Sequence, residues 1–156
     1  MTLDAFLRLG ETVTLGTHPF EADEIKAFAR LYDPQPFHVD EAQAAQSLFG
    51  KLCASGWHTA AMWMKLNVSD LERHADRPWE GAGPRPEWGP SPGFQKLRWP
   101  KPVYAGESVT FTRTALNHRR TATRPGWRML QLRCGATDSS GDTVLDFESA
   151  VMVKAA

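Results

Sequence analysis

"GWHTAAMWMKLNVSDLERHA", residues 56–75, decides how the rest of the chain must fold. It is the longest helical candidate, and its first half is apolar nearly all round. A helix of that kind is expected to be buried on most sides. Ser55 stands where an N-cap residue belongs. What surrounds this helix must therefore supply a concave apolar wall.

The flanking segments read as that wall. "ETVTLGTHPF" (11–20) carries β-branched residues in partial alternation and reads as a first strand. Beyond the helix come "FQKLRWPKPV" (94–103), broken near Pro100, and "ESVTFTRTALNH" (107–118), with Val109, Phe111 and Ala115 on one side. "GWRMLQLRCGATD" (126–138) and "DTVLDFESAVMVK" (142–154) complete the set, and "SSGD" between them is a hairpin signal. Leu145, Phe147, Ser149, Val151 and Val153 share a face of the last strand. One strand, helical matter, one long apolar helix and a run of antiparallel strands make an α+β order. A sheet needs its apolar face covered. Wrapping the antiparallel sheet around the helix that starts at Gly56 satisfies both requirements, and that layout is called a hotdog fold. The segment "DRPWEGAGPRPEWGPSPG" (76–93), rich in proline and glycine, is expected to be irregular. Such a segment serves either as a lid or binding loop or as a surface loop whose tryptophans pack down.

Composition narrows the function. At 156 residues the chain is near the usual size of one domain. Lysine plus arginine and aspartate plus glutamate are both 18, which argues against a general nucleic-acid binder. Cys53 and Cys134 show neither a CxxC pairing nor zinc-ligand spacing, so both are expected as buried thiols in a reducing, cytoplasmic setting. The first residues lack the pattern of a signal peptide, and no apolar run is long enough for a membrane span.

The chemistry is expected in "RLYDPQPFHVDEAQAAQSLFGKLCASGW" (30–57). "EADEIKAFARLY" (21–32) has Ile25, Phe28, Ala29 and Tyr32 at helical spacing, with acidic residues at its start as the helix dipole prefers. Pro34 disfavours α geometry at Asp33, so the helix stops there. Asp33 then sits at a helix exit on backbone stiffened by Pro34 and Pro36. "DEAQAAQSLFG" (40–50) reads as a short helix capped by Asp40 and ended by Gly50. Taken alone, Asp33 reads as a turn residue and His38 as a satisfied structural histidine. At this spacing, ahead of a glycine-led helix, they read as a catalytic pair that can grip one water. The helix N-terminus offers a backbone N–H and a dipole to a developing oxyanion, and Gly56 permits close approach.

Other residues carry less. His58 is expected to be buried or at the site wall, and "HVD" with His58 lacks metal-ligand spacing, so no metal is expected. Lys51, Lys96, Arg98, Lys101, Arg119 and Arg120 are cations that could meet a phosphate-bearing ligand, although each alone reads as solvated surface charge. Trp57, Trp63, Phe94 and Trp99 could line a ligand tunnel or simply belong to the core.

"DPQPFHVD" (33–40), followed by "AAQSLFGKLCASG" (44–56) and "LRWPKPVYAGESVTF" (97–111), resembles the MaoC-like dehydratase family, which includes the (R)-specific enoyl-CoA hydratases. The resemblance spans roughly residues 12 to 153. It implies one MaoC-like hotdog domain over residues 1–156, a homodimer, and hydration or dehydration of an unsaturated or 3-hydroxyacyl-CoA thioester in fatty acid metabolism, without a cofactor. Asp33 and His38 match the family's catalytic pair. Gly56 matches the glycine whose N–H faces the thioester carbonyl, and Asp40 matches a supporting second aspartate. Asp40, Ser55 and Trp57 are the expected substrate-binding residues. Three positions depart from the pattern: the family's asparagine before the second proline is Gln35, the histidine before the helix glycine is Ser55, and a serine five residues after it is Ala61. Two alternatives keep the fold. A hotdog acyl-CoA thioesterase would place an acidic residue on the central helix, where this chain has none before Asp70. A non-catalytic acyl-CoA binding protein would bind without turnover.

Overall fold

The structure, a computed structural model, describes residues 1–155. Along the chain run α1 (Leu3–Leu7), β1 (Thr12–Pro19), α2 (Ala22–Tyr32), α3 (Pro36–Val39), α4 (Glu41–Ala45), α5 (Gly56–Arg73), β2 (Glu87–Trp88), β3 (Gly93–Arg98), β4 (Ser108–Arg120), β5 (Trp127–Asp138) and β6 (Thr143–Lys154). All six strands belong to one antiparallel sheet in the order β1-β4-β5-β6-β2, with β3 also pairing with β6. The sheet curls around α5, giving the α+β hotdog arrangement that the strand and helix patterns imply.

Alternation makes the wall. Val13 and Leu15 of β1, Val109 and Phe111 of β4, Leu130 and Leu132 of β5 and Leu145 and Phe147 of β6 are buried together. From α5, Met62 and Trp63 point into this core, and the Trp63 indole N–H donates to the carbonyl of Thr112 in β4 at 2.9 Å. Polar ends of buried aromatic side chains need such a partner. A bulge between Thr14 and Gly16 bends β1 around the helix. Gly16 has φ +149, a conformation side chains rarely adopt, and faces Leu66 of α5.

Three features differ from the sequence reading. First, α5 is not buried on most sides: Trp57, Ala61, Met64 and Val68 form an exposed stripe, because the sheet of one chain curls around only one flank of the helix. Second, the 76–93 segment is partly ordered as strand. Its residues Glu87 and Trp88 pair with Lys154 and Val153 of β6. Third, two short helices escape the periodicity. Thr2 caps α1 by accepting from the Ala5 N–H, and Pro36, whose fixed φ suits a first helical position, opens α3.

Candidate active site

Asp33 ends α2. Its N–H still donates to the Ala29 carbonyl, but its backbone (φ −155, ψ 70) has left the helix, as the following proline requires. Pro34 and Gln35 carry the chain into α3, whose single turn places His38 back over Asp33. The distance from His38 Nε2 to Asp33 Oδ2 is 3.4 Å. The other side of the site is the start of α5. Residues 52–54 are held by Val103–Ala105: the Ala54 N–H donates to Val103 and the Ala105 N–H to Leu52. This fixes Ser55 and Gly56 beside the pair.

Hydrogen bonds define how the pair can act. His38 Nδ1 lies 2.6 Å from the Cys53 carbonyl. A carbonyl only accepts, so Nδ1 carries the proton. In the neutral ring, Nε2 is then an acceptor. It faces a carboxylate oxygen, also an acceptor. Two acceptors at 3.4 Å leave room for a proton-bearing group to satisfy both, which is how a water would be gripped. The carboxylate itself is held from two further directions. Ser55 Oγ donates to Asp33 Oδ2 at 2.7 Å, and Gln35 Nε2 donates to Oδ1 at 2.8 Å. Two of the three positions that depart from the family pattern thus orient the acid. The third, Ala61, lies on the exposed stripe of α5.

Ser55 has a second task. Its Oγ accepts from the Trp57 N–H at 3.2 Å and so caps α5. The Gly56 N–H makes no hydrogen bond among the described residues. It is an orphan donor at a helix N-terminus, where dipole and free N–H favour an anion. A Cβ at position 56 would lie 2.4 Å from the Trp99 ring, so the glycine is required by close packing.

Asp33, His38, Gly56 and Trp57 line one cavity of about 460 Å³, together with Gln35, Phe37, Cys53, Trp99 and Lys101. Trp57 and Trp99 stand edge to face at 5.1 Å. Burial pushes the Cys53 thiol up to about 11, so it is not a nucleophile at neutral pH. Ser55 is fully buried and reaches the site through Asp33. Asp40 is outside the lining: its carboxylate caps α4 by accepting from the Gln43 N–H. Of the aromatics, Trp63 is core and Phe94 is exposed on β3, edge to face with Phe147. Several cations already have partners. Lys101 binds Asp138 and Asp142, Lys96 binds Glu148, Arg98 binds Asp146, and Lys51 lies over the Tyr104 ring.

Behind the pair, α2 is tied to the core by a group the motif does not contain. Glu24 accepts from His18 Nε2 of β1 at 2.9 Å and lies 3.4 Å from His58 Nε2 of α5. His58 is buried, stacks on Phe28 with ring centroids 4.5 Å apart, and has no partner for Nδ1 among the described residues. Burial holds its pKa below the ordinary histidine value, against the pull of Glu24. No group of three or more His, Cys, Asp and Glu side chains among the described residues is placed to hold a metal, and no helix there is long and apolar enough to cross a membrane.

Comparison with known proteins bears on the family and the fold. Residues 7–125 match the MaoC-like domain family. A MaoC-like dehydratase from Rhodospirillum rubrum is 32% identical, with a TM-score of 0.78 over 100% of this chain and 98% of that one. An (R)-hydratase from A. caviae involved in PHA biosynthesis shares the fold, with a TM-score of 0.63 at 23% identity over 95% of this chain and 96% of that one. The uncharacterized protein YdeM of Bacillus subtilis is 36% identical over 70 residues, which is 45% of this chain and about half (49%) of that relative. Matched across most of its length, the chain belongs to the MaoC-like dehydratase family.

Proposed function

We propose that the protein hydrates an α,β-unsaturated acyl-CoA thioester, or dehydrates the 3-hydroxyacyl thioester in reverse. The observation that carries this reading is the facing of two acceptors, Asp33 Oδ2 and His38 Nε2, across 3.4 Å at the wall of a cavity that Gly56 also lines. A water held there donates one hydrogen bond to each acceptor. Its oxygen adds to the β-carbon as one proton passes to the pair, and the pair returns a proton to the α-carbon. The pair therefore ends as it began. Both groups hold the same water, so the acid and base steps belong to the pair. Charge developing on the thioester oxygen is met by the Gly56 N–H and the α5 dipole. One such donor is worth on the order of 10²–10³ in rate. The absence of any carboxylate on α5 near the cavity counts against hydrolysis, since Asp70 is buried at the helix's other end and paired with Arg113.

A homodimer goes with this reading. The Trp57–Ala61–Met64–Val68 stripe and the outer edge of β3 are the apolar face and open edge that a second copy would cover.

The test is loss of enoyl-thioester absorbance with crotonyl-CoA. Wild-type protein is expected to turn it over, and Asp33→Asn and His38→Ala each to lose about 10²-fold or more. Unchanged rates in both variants would sink the assignment. Release of free thiol in place of hydration would establish hydrolysis instead.

A further inference from the structure

A second cavity, of about 370 Å³, lies at the opposite end of α5. Asp70 on its floor is 14 residues beyond Gly56, about 21 Å along the helix axis at the usual rise. Its volume is at the lower end of the range for small-molecule sites, ~300–1,000 Å³. It is built from parts the proposed reaction does not use: α1, the last turns of α5, the 76–93 segment and the inner face of β4 and β5.

Its lining has two characters. The inner walls are apolar, with Phe6, Leu71, Ala115, Leu130 and Leu132. The rim and floor carry four arginines, Arg8, Arg77, Arg85 and Arg113, against the carboxylates of Asp70 and Glu87. Two of the four are satisfied by carboxylates: Arg8 by Glu11 and Arg113 by Asp70. Glu87 leans outward to Lys154. Among the described residues Arg85 bonds only to the carbonyls of Arg77 and His74, with its guanidinium 5.7 Å from the Phe6 ring centroid. The Arg77 guanidinium has neither a hydrogen bond nor an ion pair among the described residues. Neither guanidinium is hydrogen-bonded to a carboxylate among the described residues, Arg77 acting on Glu11 only through space, and both line an apolar hollow. Guanidinium forks match carboxylates, and the hollow matches a hydrocarbon body.

We propose that this cavity is a binding site for a small amphipathic carboxylate, its anionic head between Arg77 and Arg85 and its apolar body against Phe6, Leu130 and Leu132. The site is independent of the Asp33–His38 pair. Inorganic phosphate alone would leave the apolar walls wet, and a neutral chain would leave both arginines unmatched.

Calorimetric titration with octanoate, octanol and inorganic phosphate tests this. Octanoate is expected to bind saturably, and the other two about tenfold or more weakly. Indole N–H resonances locate the ligand by NMR: Trp88 is expected to shift, with Trp57 and Trp99 unmoved. Arg77→Gln with Arg85→Gln is expected to weaken octanoate about tenfold. Because Arg85 also braces a loop, a second variant fills the hollow instead: Ala75→Trp, at an exposed position of the lining, is expected to abolish binding at an unchanged melting temperature. Absence of octanoate binding, equal binding of phosphate or octanol, full affinity in both variants, or shifts confined to Trp57 and Trp99 would each overturn the proposal. None of these outcomes bears on crotonyl-CoA turnover, so the two readings fail separately.

Discussion

At the scale of single residues, Ser55 links the acid to the helix start. One hydroxyl donates to Asp33 and accepts from the Trp57 N–H. Ser55→Ala is therefore expected to cost about 0.5–2 kcal/mol through the lost cap. It should also lower kcat about tenfold through a freed Asp33, with KM little changed. Denaturant titration and steady-state kinetics separate the two effects. Gly56→Ala drives a methyl group into the Trp99 ring and is expected to cost about 1–3 kcal/mol. That cost should largely vanish when Trp99→Ala is made in the same chain, as a double-mutant cycle of melting temperatures would report. That Asp33, His38 and Gly56 converge on one cavity was legible from spacing and resemblance. The roles of Gln35 and Ser55 were not. Ser55 meets Asp33 across 22 residues of chain, a contact that exists only once α3 and the 52–54 segment are in place. Asp40, equally legible as an acidic residue near the pair, turned to the nearest free N–H groups and capped α4.

At the scale of elements, α2 carries Asp33 at one end and is clamped by Glu24 at the other. The groups facing His58 are Glu24 from α2 and His18 from β1. Because burial depresses the folded-state pKa of His58, the unfolded chain binds its proton first as pH falls. Stability from this source is complete above about 6.5, the unfolded value, and drains as pH drops toward the folded pKa. The acidic side chains with lowered pKa values, such as Asp146 and Glu148, lose stability at lower pH, so the two windows are distinct. Melting temperature is expected to decline on the acid side of about 6.5, and His58→Phe to flatten that decline. A profile unchanged by the substitution would show that the clamp bears no titration load. The long strands were legible because alternation survives in them. β2 was hidden because Pro86 and Pro90 bracket a two-residue strand, and α3 because one turn has no period to read.

At the scale of the whole molecule, the curled sheet and its helix follow from the patterns of β4, β5, β6 and α5. The degree of burial of α5 did not follow, because a helix apolar all round is compatible with covering by the same chain or by another. Here the sheet covers one flank and leaves Trp57, Met64 and Val68 outside. Size-exclusion chromatography with light scattering is expected to give twice the 17.4 kDa chain mass. Met64→Lys with Val68→Glu is expected to shift the protein toward monomer without unfolding it. A wild-type monomer would refute the dimer.

The sheet also has an uneven dependence on its strands. β6 pairs with β5 on one side and with both β2 and β3 on the other. Yet a ribosome makes β6 after all of them. Until it emerges, two short strands have no edge to join and the hollow around α5 stays open to water. Folding during synthesis must therefore wait for the final hairpin, and a nascent chain stalled before Thr143 should still be digested by protease while one that has cleared Lys154 resists.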